Sequence, residues 1–251
     1  MRTPLVAGNW KLNKTVAETR QLLAGLLPGL QAVSGVEKLI CPPFTALQTA
    51  AELLAGKQIA LGAQNLFWEN SGAYTGEISA PMLAEFCQYV IIGHSERRAY
   101  FGETDESVNR KTQAALSHNL IPVVCVGETL EENESGRAAE VVSRQVRDGL
   151  LGAKVPSAAA LVVAYEPVWA IGTGKAATPE GADLLIRNVI RTTLAGIFGE
   201  QIAQGVRVLY GGSVKPENAA EFFQQPEIDG ALVGGASLNA ADFVKITQAA
   251  A

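Results

Sequence analysis

Eight short apolar segments, rich in β-branched residues, recur along the chain and alternate with longer segments of helical periodicity. These segments are LVAGNW (5–10), VEKLIC (36–41), QIALGAQ (58–64), YVIIG (89–93), IPVVCVG (121–127), ALVVAYE (160–166), VRVLYGG (206–212) and GALVGG (230–235). They are apolar on both faces, which is typical of parallel strands covered by helices. Eight strand–helix units in 251 residues predict an α/β fold, a closed (β/α)8 barrel of parallel strands surrounded by helices.

The segments between the predicted strands carry helix start signals. Thr15 precedes VAETRQLLAGLL, and the tripeptide at 215–217 (KPE) precedes NAAEFF. Thr178 is predicted to cap the helix over residues 182–197, because Pro179 follows it and suits the first helical position. These signals place helices where a barrel of this kind requires them.

Polar residues and glycines interrupt the apolar pattern where the predicted strands end. The interruptions are Asn9, Lys11, His94, Glu166, Ser213 and the pair Gly234-Gly235. In a closed parallel barrel the carboxyl ends of the strands meet at one face, and that face carries the active site. The sequence therefore predicts that these scattered positions converge on one site.

Composition restricts the possible partners and the location. Lys and Arg total 20 and Asp and Glu total 25, a net charge of -5, which argues against a nucleic-acid partner. The three cysteines (Cys41, Cys87 and Cys125) are widely spaced without a C-x-x-C pair, so neither a disulfide framework nor a zinc site is expected. No apolar run reaches about 18 residues, and the start, MRTPLVAGNW, is too short and interrupted for a signal segment. We expect a soluble, cytoplasmic protein without a membrane partner, and one domain over residues 1–251.

Five motifs carry a resemblance to a known family. GNWKLN (8–13), GHSERR (93–98), AYEPVWAIGTGKA (164–176), YGGSV (210–214) and ALVGGASL (231–238) follow one another in the order found in triosephosphate isomerases, and together they resemble that family over nearly the whole chain. The resemblance implies an isomerase that interconverts dihydroxyacetone phosphate and glyceraldehyde 3-phosphate through an enediolate. It also implies that no cofactor and no metal is needed.

Glu166 ends an apolar strand segment and precedes Pro167. Partial withdrawal from water favours the protonated form of a carboxylate, which makes this residue a usable base. The alternative is an ordinary solvated carboxylate beside a helix. The resemblance implies that Glu166 is the catalytic base, which moves a proton between adjacent carbons.

His94 is one of two histidines, and the other, His118, is interpreted as a structural or surface residue. Ser95 follows His94 and is a plausible N-cap, so a helix is predicted to begin directly beneath the imidazole. A helix N-terminus disfavours positive charge, so the ring is expected to stay neutral and to donate a hydrogen bond. That property suits a group that polarises a carbonyl.

Lys11 lies just beyond the first strand, between Trp10 and Leu12. A solvated surface lysine is the alternative, but at the barrel mouth its ammonium would stabilise a phosphate ester and a developing oxyanion in an acidic protein. Asn9 is the nearby neutral donor. The resemblance implies that Glu96 is the partner of Lys11.

The glycine-rich stretch after Glu166 formally matches G-x-G-x-x-A over residues 172–177, but it does not begin at a strand-to-helix turn, so a dinucleotide fingerprint is rejected. A Walker A loop is rejected because Trp169 stands where the first glycine belongs. The remaining interpretation is a lid with hinges at 167–168 and 175–177. The groups predicted to hold the phosphate are the backbone N–H groups of Gly172, Ser213, Gly234 and Gly235, although a tight turn alone also explains the glycine pairs.

Two rival functions remain open at this stage. A barrel aldolase would use Lys11 as a Schiff-base nucleophile, and a sugar-phosphate binding protein would have lost catalysis. The base, electrophile and lid are all present, which counts against the second rival.

Residues 65–79 (NLFWENSGAYTGEIS) follow the third strand, show no helical or alternating periodicity and are long for a barrel connection. The segment carries Phe67, Trp68 and Tyr74, a residue class enriched at interfaces. A loop folded back on its own barrel is the alternative. The resemblance implies a homodimer in which Thr75 enters the neighbouring subunit beside its Asn9, Lys11 and His94.

Overall fold

A computed structural model describes residues 2–171 and 177–251. Its eight strands are β1 (Leu5–Asn9), β2 (Glu37–Cys41), β3 (Ala60–Ala63), β4 (Tyr89–Ile92), β5 (Ile121–Val126), β6 (Val162–Tyr165), β7 (Arg207–Tyr210) and β8 (Gly230–Val233). Each strand pairs in parallel with the next, and β8 pairs with β1 to close the barrel. The predicted (β/α)8 barrel is therefore confirmed, and each strand lies within one of the eight apolar segments.

Helices surround the barrel. In the described residues they are α1 (Val16–Gln31), α2 (Leu47–Leu54), α3 (Ala80–Ala84), α4 (Ser95–Tyr100), α5 (Asp105–Ser117), α6 (Leu130–Glu134), α7 (Ala138–Gly149), α8 (Pro179–Leu185), α9 (Thr192–Phe198), α10 (Glu200–Gly205), α11 (Ala219–Phe223) and α12 (Ala240–Ala249). None of the helices in these ranges combines the length and apolar character that a membrane crossing needs.

The helix start signals act as capping groups. Thr15 forms a capping box with Glu18 at the start of α1, and the Thr178 side chain accepts a hydrogen bond from the Gly181 N–H at the start of α8. The helix predicted over 182–197 is interrupted, because a π-helical segment at 186–191 joins α8 to α9. α11 begins at Ala219, after the KPE signal at 215–217, in which the Lys215 N–H donates to the Asn218 side chain at 2.8 Å.

Two apolar layers explain why the strands are apolar on both faces. One set of side chains fills the barrel interior, and it includes Leu5, Leu39, Ile91, Val123 and Leu209. The alternate residues of the same strands pack outward against the helices, as Val6, Ile40, Val90 and Val208 do. Because both faces of the strands are covered, the polar side chains that a bound molecule could reach lie at the strand ends and in the loops that follow them.

Candidate active site

A cavity of about 650 Å³ opens at the carboxyl ends of the strands; we call it the mouth cavity. Six of the predicted site residues line it, namely Asn9, Lys11, His94, Ser213, Gly234 and Gly235. Glu96 and Glu166 do not line it. The predicted Gly172 and the hinge residues Lys175 and Ala176 lie outside the described residues.

Lys11 is held in an unusual backbone conformation at the end of β1. Its φ is 52°, in the left-handed region that costs a non-glycine residue energy. The side chain of Asn9 accepts the Lys11 N–H at 3.0 Å, and the Gln64 amide donates to the Lys11 carbonyl at 3.0 Å. These bonds hold the backbone so that Nζ lies 2.5 Å from the Glu96 carboxylate. The ammonium therefore carries a fixed partner while still facing the cavity.

His94, and not Ser95, is the N-cap of α4, so the predicted cap was wrong by one residue. The ring Nδ1 accepts the backbone N–H of Glu96 at 3.2 Å. This bond satisfies one of the helix's first N–H groups, and it requires an Nδ1 without a proton. In that neutral tautomer the proton lies on Nε2, which is 3.0 Å from the Glu166 carboxylate. The ring is therefore oriented to donate from Nε2.

Glu166 follows β6 and is buried, with a relative exposure of 2%. One carboxylate oxygen accepts the Ser95 N–H at 2.9 Å, and the other faces His94 Nε2. The residue lines a second cavity of about 410 Å³, which we call the posterior cavity; it lies behind the strand ends of β4, β5 and β6 and is also lined by Arg98, Asp105 and Gln145. The side chain must therefore rotate towards the mouth cavity before it can act on a molecule bound there.

Two neighbouring glycines leave the space that Glu166 occupies. A Cβ on Gly211 would lie 2.7 Å from Glu166 Cγ, and a Cβ on Gly127 would lie 1.7 Å from the Glu166 carbonyl oxygen. Contacts this close exclude any larger residue unless the glutamate moves. The two glycines thus permit the observed resting position of Glu166, Gly127 at its backbone and Gly211 at its side chain.

Gly211→Ala is expected to displace Glu166 and to lower kcat by about 100-fold, because small misplacements of a reacting group are costly. The measurement is turnover together with thermal unfolding. Gly196→Ala is the matched control, since a Cβ there meets nothing within 4 Å and the change improves helix propensity by about 0.5–1 kcal/mol. Equal turnover in the two variants would contradict the steric argument.

The start of the segment after Glu166 is held by the buried carboxylate of Glu128, which the sequence analysis did not single out. Glu128 is fully buried and accepts hydrogen bonds from the Trp169 indole at 2.8 Å and from the Tyr165 hydroxyl at 3.2 Å. Burial, and then the charge of Glu128, raises the pKa of Tyr165 far above its ordinary value, so that hydroxyl stays a donor. Glu128 follows the apolar run of β5 just as Glu166 follows β6, and that position was the available signal.

The far side of the same segment is anchored by another residue that was not singled out. The buried Tyr210 hydroxyl accepts the Ala177 N–H at 3.3 Å, and its ring stacks on Phe222 with centroids 4.1 Å apart. The described ends of the predicted lid are thus fixed to the barrel on both sides.

The turn after β8 is held by a hydrogen bond between two of its own residues, Ser237 and Gly234. Ser237 is fully buried and its hydroxyl donates to the Gly234 carbonyl at 2.6 Å. Gly234 also leaves space for Lys11, because a Cβ there would lie 3.3 Å from Lys11 Cε. The glycine pair therefore permits a tight turn and the close passage of the lysine; its part in phosphate binding stays a prediction.

Comparison with known proteins agrees with this architecture. A family model described as triosephosphate isomerase matches residues 4–250. The chain is 57% identical over 249 residues to a protein of Moorella thermoacetica (99% of each chain) and 56% identical over 247 residues to one of Chloroflexus aurantiacus (98% of each). It is 55% identical over 252 residues to one of Symbiobacterium thermophilum, covering 100% of this chain and 98% of the relative. All three relatives are named triosephosphate isomerase. On this evidence the chain belongs to the triosephosphate isomerase family.

Proposed function

We propose that this chain is an aldose–ketose isomerase that interconverts dihydroxyacetone phosphate and D-glyceraldehyde 3-phosphate, a step of glycolysis and gluconeogenesis. The observation that carries the proposal is the convergence of Lys11 and His94 on one strand-end cavity, with Glu166 within 3.0 Å of His94. Full-length similarity to proteins of that name supports it.

The proposed chemistry is a proton transfer in two halves. The Glu166 carboxylate turns into the mouth cavity and takes a proton from the carbon beside the substrate carbonyl. His94 donates from Nε2 to the carbonyl oxygen, and the Lys11 ammonium stabilises the negative charge of the enediolate. Glu166 then returns the proton to the neighbouring carbon, and the hydroxyl proton on the first carbon moves by way of His94 Nε2 to the former carbonyl oxygen. The substrate is oxidised at one carbon and reduced at the next, so the reaction needs neither a metal nor a redox cofactor.

The phosphate group is proposed to lie on the opposite side of the mouth cavity from His94. Backbone N–H groups of Gly172, Ser213, Gly234 and Gly235 hold it, and Lys11 adds positive charge. The segment after Glu166 closes over the bound molecule, which excludes water and keeps the enediolate from losing phosphate. Glu128 and Tyr210 hold the described ends of this segment, at Trp169 and Ala177, to the barrel.

The rival functions are less well supported. A Schiff-base lysine must be a neutral amine, whereas Lys11 Nζ is paired with Glu96 at 2.5 Å. A binding protein without catalysis would not need a histidine held in one tautomer beside a buried glutamate. Borohydride trapping with substrate distinguishes the aldolase, and turnover distinguishes the binding protein.

A coupled assay of the purified protein in EDTA tests the proposal. Dihydroxyacetone phosphate should be converted to glyceraldehyde 3-phosphate, and the reverse reaction should proceed with the same preparation. Absence of turnover in both directions, in a protein with a cooperative unfolding transition, would refute the assignment. A cytoplasmic location and a single domain over residues 1–251 stay predictions.

We also propose that the enzyme is a homodimer joined by the loop at 65–79. The base of this loop folds on itself, since the Phe67 ring packs on Trp68 and Tyr74 with centroids 4.1 and 4.7 Å away. Its outer part stands in solvent: Tyr74 is 44% exposed and Thr75 is also exposed. An exposed aromatic beside an exposed hydroxyl suits entry into a second copy, where Thr75 would approach Asn9, Lys11 and His94.

Other exposed apolar side chains support the same interface. Leu12 is 97% exposed, and Val16, Phe44 and Met82 are 40%, 38% and 51% exposed. Leu12 lies in the loop after β1 and Val16 begins α1, Phe44 lies in the turn after β2, and Met82 lies in α3, which follows β3. A second copy would remove them from water.

Deletion of residues 69–74 is expected to give a monomer with reduced kcat, because the neighbouring loop no longer supports Lys11 and His94. Sedimentation gives the mass, and the coupled assay gives turnover. Tyr74→Ser is a milder variant that keeps the loop length. A deletion variant that is monomeric and fully active would show that the interface does not support catalysis.

A further inference from the structure

Arg98 ties together the strand ends behind the catalytic pair. Its Nε donates to the Gly93 carbonyl at 2.9 Å, and one Nη donates to the Cys125 carbonyl at 3.4 Å. The other Nη binds Asp105 at 2.6 Å. One guanidinium thus joins the end of β4, the end of β5 and the first residue of α5.

The Gly93 turn is the segment that sets the direction of His94. Gly93 has a φ of 72°, and a Cβ there would lie 2.7 Å from Val108 Cγ2. His94 follows directly as the cap of α4, and Ser95 gives its N–H to Glu166. Any rotation of the Gly93 peptide would therefore move both the histidine ring and the donor that holds the glutamate.

The planar fork of an arginine is suited to this task. It presents donors in a fixed geometry to two carbonyls and a carboxylate at once, which a lysine ammonium does not. Asp105 is itself held from the other side by Arg144 at 3.2 Å, so the fork has a fixed support on α7. The chain Arg144–Asp105–Arg98 thus connects an outer helix to the turn that carries His94.

We infer that Arg98 is a positioning residue for proton transfer, acting through the Gly93 turn on His94 and on the Ser95 N–H that holds Glu166. It lies in the posterior cavity and not in the mouth cavity, so it does not touch the substrate. The inference rests on the proposed isomerase function. It predicts that loss of Arg98 impairs the chemical step while the phosphate-binding side, built by the turns after β7 and β8, is unaffected.

The principal test is Arg98→Ala. Its kcat in the coupled assay should fall by about 100-fold, the cost of misplacing reacting groups by about 1 Å. Inorganic phosphate, used as a competitive inhibitor, should bind as it does to the wild-type enzyme. Arg147→Ala is the matched control: it removes an exposed arginine of α7 that pairs with Asp148 and lines neither cavity, so its kcat should stay near the wild-type value.

Chemical rescue separates positioning from general destabilisation. The posterior cavity is about 410 Å³ and is lined by Arg98 and Asp105, so truncation leaves room for a guanidinium ion beside the vacated carbonyls. Millimolar guanidinium should raise the kcat of Arg98→Ala and leave the wild type unchanged. The double variant Arg98→Ala with Asp105→Asn should not be rescued, because the carboxylate that binds the ion is gone.

The outcomes are distinct. Inactivity of the wild-type protein would refute the proposed function itself. With an active wild type, normal kcat in Arg98→Ala, a parallel loss of phosphate binding, or a kcat loss that guanidinium does not reverse would each overturn the positioning role. If Arg98→Ala does not fold, Arg98→Lys is measured instead: reduced kcat with normal phosphate inhibition supports the role, and normal kcat overturns it.

Discussion

Glu166→Gln is expected to lower kcat by roughly 10²–10⁴-fold, the usual contribution of a general base. An amide of the same shape cannot take up the proton. Its carbonyl oxygen can still accept the Ser95 N–H, which now binds the carboxylate at 2.9 Å, so the fold should persist, although the amide nitrogen then faces the His94 Nε2 donor. The measurements are turnover in the coupled assay, inhibition by inorganic phosphate and thermal unfolding.

A surface variant serves as the control for the kcat loss expected in Glu166→Gln. Glu131→Gln removes one negative charge at an exposed position in the first turn of α6, and its kcat should equal that of the wild type. Phosphate inhibition should be unchanged in both variants, because the turns after β7 and β8 are untouched. Near-normal turnover in Glu166→Gln would exclude the residue as the base.

The fold was predictable because its strands are covered on both faces. A segment such as IPVVCVG reads as a buried strand without any knowledge of its neighbours, and β5 indeed occupies Ile121–Val126. The boundary errors have local causes. The segment over 160–166 was predicted too long, since Ala158–Ala160 forms a 3-10 turn and β6 begins at Val162.

The positions of the site residues followed from strand ends, but their contacts did not. Lys11 and Glu96 are 85 residues apart, and Glu128 and Trp169 are 41 apart. Such pairs depend on the register and shear of the closed barrel, which a single sequence does not encode in any local pattern. The Lys11–Glu96 pair was expected only through the family resemblance.

Supporting residues were missed for the same reason. Gln64 and Arg98 donate to backbone carbonyls at or just beyond strand ends. Every residue has a backbone carbonyl, so the sequence does not indicate which one accepts. The cap of α4 was misplaced because serine is the commoner N-cap residue, whereas here the imidazole of His94 accepts the hydrogen bond. The resting place of Glu166 depends on that same turn.

Lys11→Met is expected to lower kcat/KM by at least about 10²–10³-fold, the cost of removing one oxyanion donor, and phosphate inhibition should weaken as well. The ammonium is the partner of Glu96. Its removal therefore leaves an unpaired carboxylate near the mouth cavity, and that charge repels a phosphate ester. Because Glu96 is partly exposed, higher salt should restore some of the affinity by screening the repulsion, but it should not restore kcat.

Lys14→Met is the matched control, because it removes a lysine from the same loop without a contact to Glu96. Both variants lower the net charge of the protein by one, so a general electrostatic effect would reduce activity equally in the two. A loss confined to Lys11→Met would assign the effect to the Lys11 ammonium, which lines the mouth cavity together with His94 and Lys215. Comparable losses in the two variants, or full activity in Lys11→Met, would show that the substrate does not depend on this charge and would count against the proposed oxyanion stabilisation.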